Sequence, residues 1–185
     1  MTDIRAAPKI LAIALPFGLA AFLCVYGGLA IYIPGTQVIT NPREIFVVLG
    51  AALTGPVGAL LIGVLAGSYD PVSGLYPVTI AAHVAGALWM AFAYKKLASK
   101  KLSSWLFLPA WVGLIAIYYF AAIIPVLVFG TGQFTGLFAR IFPDCTPGQA
   151  LLNLCVSIWP ELILTALVTA MFLALLPKKS RIPLW

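Results

Sequence analysis

Residues 45–67, "IFVVLGAALTGPVGALLIGVLAG", run for 23 positions without a charged side chain, and Gly55-Pro56 falls in their middle. A membrane span needs about 20 consecutive apolar residues, so the length fits one crossing. Proline lacks an amide hydrogen and turns the preceding residue away from helical geometry, so the interruption does not fit. Two readings follow. Either 45–67 is one kinked spanning helix, or 44–54 and 56–67 are two short antiparallel helices that meet at a turn. Each short helix would be only about 18 Å long, too short to cross alone. It would need protein packed around its turn. Ala51, Ala52, Gly55, Gly58, Ala59, Gly63, Ala66 and Gly67 permit the close backbone approach that such packing requires.

Further apolar runs cover 10–31, 77–94, 105–129 and 150–176. With 63% hydrophobic and 9% charged residues among 185, the chain cannot bury its apolar surface in one globular core. It is therefore expected to be an all-α integral membrane protein. The first run follows Arg5 and Lys9 as a signal peptide would, but "YGGLAIYIPG" offers no small-residue cleavage site, so it is read as retained. No soluble domain is expected at either end of the apolar runs, and residues 1–185 are expected to form a single transmembrane domain.

Basic residues discriminate between the two readings. Six segments with a cytoplasmic amino terminus place Arg5, Lys9, Lys95, Lys96, Lys100, Lys101, Lys178, Lys179 and Arg181 inside, and only Arg43 and Arg140 outside. Five spans, in their better orientation, move Arg5, Lys9 and Arg140 outside. The positive-inside rule favours a bundle of six membrane segments, two of them short and glycine-rich, with both termini cytoplasmic in a prokaryotic plasma membrane. The net charge of +6 sits mostly at the ends of apolar runs, where it orients the chain and meets anionic lipid; nucleic acid is not an expected partner. Cys24 and Cys155 lie inside apolar runs and Cys145 in a connection, which reads as small hydrophobes rather than a disulfide or metal site.

"NPR" ahead of an apolar turn, "GPVGALLIGVLAG", and "PVTIAAHVAGALWMAFAYKKL" together resemble the membrane domain of LytS-type sensor kinases. The same Gly-Pro-x-Gly stretch, with Gly63 and Gly67, is also similar to the substrate-binding S components of energy-coupling factor (ECF) transporters. The resemblance covers Asn41 to Lys96. It departs from the LytS-type pattern at "SYDP", where Asp70 stands in place of an arginine, and the 185 residues carry no signalling domain. The resemblance implies an S-component-like fold that captures a small solute from the outer side, with a transmembrane coupling protein and ATPase subunits as partners. The alternatives are a stand-alone LytS-like sensory module and a structural subunit of a larger membrane complex.

The resemblance singles out the Asn-x-Arg of Asn41 and Arg43. A guanidinium at a helix head can hold a carboxylate or phosphate with two parallel hydrogen bonds, or can simply pair with Glu44 or lipid phosphate. In the two-helix reading Asp70 flanks the same entrance. Tyr76, Thr79 and His83 share one helical face. His83 is either a ligand donor or a histidine bonded to a neighbouring helix. Asn153, Ser157 and Glu161 follow at offsets of four, and an acid at this depth should face the interior and have a partner. It would bind a cation, carry a proton or bond to another helix. No Walker loop, no Gly-x-Ser-x-Gly elbow and no metal-spaced cluster occurs, so neither enzyme chemistry, cofactor nor metal is expected.

Overall fold

The computed structural model describes residues 7–29, 31–32, 39–69, 76–98, 110–121 and 146–176. Five helices stand among them: α1 Ala7–Tyr26, α2 Arg43–Gly67, α3 Tyr76–Ala98, α4 Ala110–Ala121 and α5 Pro147–Leu175. A two-residue antiparallel ladder, β1 Ile31–Tyr32 with β2 Ile39–Thr40, closes the connection between α1 and α2. By length and composition α1, α2, α3 and α5 could each cross a membrane.

Local chemistry sets the ends. The first apolar run extends to residue 31, but its helix stops at Tyr26. Gly28 takes φ +65°, its N–H donates to Val25 O, and the Leu29 N–H donates to Cys24 O. This is the paired closure that a left-handed glycine allows just past a helix end. α5 begins with reciprocal caps: the Gln149 N–H donates to Thr146 Oγ1, and the Thr146 N–H donates to Gln149 Oε1 at 2.9 Å.

α2 is not continuous. Gly55 takes φ +72° and ψ −165°, a backbone conformation open essentially to glycine alone. The chain folds back there. A Cβ on Gly50 would lie 2.6 Å from Ile62 Cδ1, and one on Gly58 would meet the Thr54 side chain. In a straight helix residues 50 and 62 stand about 18 Å apart. Residues 43–54 and 56–67 therefore form a helical hairpin about Gly55-Pro56. Its turn is enclosed, with Thr54 and Gly55 buried and Thr54 Oγ1 donating to Gly50 O at 2.6 Å.

The first half of the hairpin fills the middle of the bundle, burying Val47, Val48, Leu49, Ala51 and Ala52. The second half lies between α1 and α3 and exposes Val57, Leu60 and Val64. Gly18 of α1 packs on Leu65 and Ile62, Gly63 on the backbone of Val84, and Gly67 on the backbone of Ile80. α1 turns Leu11, Leu15, Leu19 and Leu23 outward, while α5 turns out Leu152, Val156, Trp159, Ile163 and Leu167. These outward stripes on the rim are what a bilayer would solvate.

Contacts fix which ends lie together. Gly67 meets Ile80 and Glu44 meets His83 near the start of α3, and Tyr69, just past α2, packs on Phe22 and Tyr26 at the end of α1. Both ends of the hairpin thus lie beside the end of α1 and the start of α3. At the other end Leu49 and Ala52 pack with Tyr94 and Leu173, next to Lys95 and Lys96.

Candidate functional site

Arg43 and Glu44 open the hairpin, in the first turn of α2. The Arg43 N–H donates to Asn41 Oδ1 at 3.0 Å, an Asx turn that sets the helix start. The turn directs Glu44 into the bundle, where it is only 2% exposed. A buried carboxylate is expensive unless its oxygens receive hydrogen bonds, and these do. Arg43 Nε donates to Glu44 Oε1 at 3.3 Å. His83 Nε2, from α3, stands 2.9 Å from the same oxygen. The Tyr118 hydroxyl, from α4, donates to Oε2. Tyr118 reaches across α3 because Gly86 leaves room: a Cβ there would stand 3.1 Å from its hydroxyl.

The tautomer of His83 follows from its other contact. Nδ1 lies 2.6 Å from Thr79 O, and a carbonyl oxygen only accepts, so Nδ1 carries a proton. The Nε2–Oε1 contact then holds one further proton, on one atom or the other. Glu44 and His83 are neutral as a unit, and Arg43 adds a positive charge beside them. Glu161 of α5 turns a buried carboxylate oxygen inward and acts electrostatically on Tyr118. Four helices therefore contribute to one buried polar centre.

Of the residues expected from sequence, Asn41, Arg43, Thr79, His83 and Glu161 lie at or beside this centre. Asn41 enters through its turn and Thr79 through its carbonyl. Arg43 pairs with Glu44, and His83 contacts the same acid on a neighbouring helix. Tyr76 opens α3, and Asn153 and Ser157 lie on α5, but the described structure does not extend to these three side chains. Asp70 lies outside the described residues, as do Cys145 and Arg140. Glu44 and Tyr118 were missed. An acid at the head of an apolar run reads as a boundary marker, and a tyrosine in "LIAIYYFAA" reads as an interfacial ring. Among the described residues no group of three or more His, Cys, Asp and Glu is placed to hold a metal ion.

A family model described as the 5TMR of 5TMR-LYT matches residues 2–179. The chain belongs to the 5TMR-LYT family. That family is the membrane domain of LytS-type sensors. No curated protein and no solved structure matches the chain. Of the two resemblances read from sequence, the match supports the LytS-type one and gives none to the ECF S component. As a 5TMR-LYT domain built of apolar helices, the chain is an integral membrane protein.

Proposed function

We propose that this 5TMR-LYT domain is the receiving part of a membrane sensor, and that it responds to a small carboxylate-bearing solute at the centre formed by Arg43, Glu44, His83 and Tyr118. The observation that carries the reading is the convergence of polar partners from three helices on one buried carboxylate. Such a donor set is matched to a planar anion with two oxygens. Its place on the hairpin joins it to every helix of the bundle, so a change there bears on α1, α3, α4 and α5 together. A signalling domain or protein that receives the change is the partner this reading requires, and surrounding lipid is the other. No catalytic step is part of it. Uptake with a coupling protein and ATPases lacks the support that the family match gives to sensing.

The membrane topology belongs to the same proposal. Each hairpin half holds about 12 residues and reaches about 18 Å, short of a core of roughly 30 Å. The hairpin dips in and returns to the face it left, so α1, α3, the apolar run 105–129 that contains α4, and α5 make the crossings and both termini are cytoplasmic. Arg43 then faces outward, and Lys95 and Lys96 inward, as the positive-inside rule prefers.

Cells lacking the gene discriminate sensing from transport. Given a panel of one- to four-carbon carboxylates, they should lose a transcriptional response while uptake of the same compound is unchanged. Lost uptake with an intact response would sink the sensory reading. With the active compound in hand, Arg43→Ala should weaken its binding to the purified protein by about 1.5–3 kcal/mol, the scale of a charged hydrogen bond. Arg43→Lys should recover only part of this, because an ammonium does not present a planar fork. Unchanged affinity by calorimetry would reduce Arg43 to a partner of Glu44.

A further inference from the structure

Arg43 Nε, His83 Nε2 and the Tyr118 hydroxyl meet two oxygens that belong to the chain itself, those of Glu44. If the cluster is the solute site, the site is already full. We infer that Glu44 is a tethered occupant: its carboxylate holds the place a solute carboxylate takes, and the solute enters by displacing it. This regulates the site just proposed, and rests on that reading.

The geometry favours such competition. Glu44 adjoins Arg43 in sequence and projects from the first turn of α2, so its carboxylate is confined beside the donors at a local concentration far above that of a free solute. Its 2% exposure leaves no room for a second anion beside it. The donors come from α2, α3 and α4, and these three helices also pack on one another through Val48, Met90 and Leu114. Two aromatic and imidazole rings frame the place: those of His83 and Tyr118 stand 5.7 Å apart at 51°. Without the Glu44 side chain, buried donors would face a cavity with no acceptor, and a small carboxylate entering it would satisfy them.

The test uses the full chain purified in detergent, with sodium formate and sodium acetate as probes and sodium chloride at equal ionic strength as control. Calorimetry and the thermal midpoint are read together. Glu44→Ala should bind formate or acetate saturably and at least tenfold more tightly than the unaltered protein. Adding Arg43→Ala to it should remove that gain. Glu44→Gln keeps the volume but not the charge, and should bind the probes at least threefold more tightly than the unaltered protein. Should Glu44→Ala fail to fold, Glu44→Gln decides alone. Probe binding no tighter than in the unaltered protein, or a gain that survives Arg43→Ala, would overturn the proposal. Failure here is distinct from failure of sensing, which is read in cells. Tight probe binding with an unchanged cellular response sinks sensing and leaves the tethered carboxylate standing.

Discussion

Glu44→Leu should destabilise the protein by about 3–5 kcal/mol, the scale on which removing one partner strands a buried charge. The loss comes from what stays behind. Arg43 Nε and the Tyr118 hydroxyl donate to that carboxylate, His83 Nε2 shares a proton with it, and the buried His83 and its neighbour lose that partner within the bundle. Glu44→Gln should cost much less, because its amide oxygen in the Oε1 position still accepts from Arg43 while its NH2 in the Oε2 position can donate to the Tyr118 hydroxyl. A variant that also replaces Arg43 and His83 with apolar residues of similar size should recover much of what Glu44→Leu loses, since a fully apolar replacement removes the stranded donors. Unfolding in graded denaturing detergent would measure all three. Equal resistance of Glu44→Leu and the unaltered protein would show that the carboxylate holds nothing in place.

The second large effect belongs to the contact between the hairpin and α3. A Cβ on Gly63 would stand 2.6 Å from Val84 Cα, and one on Gly67 would stand 2.5 Å from Ile80 Cα. Both obstacles are backbone, so no side chain can rotate away. Even one methyl must push α3 off the hairpin, at about 1–3 kcal/mol for each glycine replaced by alanine. Valine at either position should reach or pass the top of that range. Gly148→Ala is the control, because nothing lies within 4 Å of its would-be Cβ. The displacement should reach the polar centre as well. His83 belongs to the turn of α3 that Gly63 touches, since its carbonyl carbon lies 3.0 Å from the Gly63 position. A Gly63→Ala protein as stable as the Gly148→Ala control would refute the close-packed contact.

The helices were legible in the sequence because a bilayer needs long uncharged runs, and these have few alternative uses. The break at Gly55 was also legible, since Gly-Pro within an apolar run has a direct backbone consequence. That the halves fold back is tertiary information: it rests on Gly50 meeting Ile62, a contact that no local preference specifies. The site was legible in part. Arg43, His83 and Glu161 stand out because charge is rare in this chain. Glu44 is as rare, but an acid beside an arginine at a helix head reads as its surface partner. Only the turn set by Asn41 and the enclosure by α3 and α4 make it the centre. Tyr118 carries no local signal, because its role depends on the room left by Gly86 on another helix.

The spacing of the Glu44 partners along the chain has a consequence in time. His83 lies 39 residues beyond Glu44, and Tyr118 lies 74 residues beyond it. Ribosomes add about 5–20 residues per second, so the acid exists for about 4–15 s before its last donor has been synthesised. During that interval an unsettled carboxylate heads a segment bound for the membrane interior. The hairpin can reach its final depth only after α3 and α4 have emerged, which makes the centre of the bundle one of its last parts to be finished.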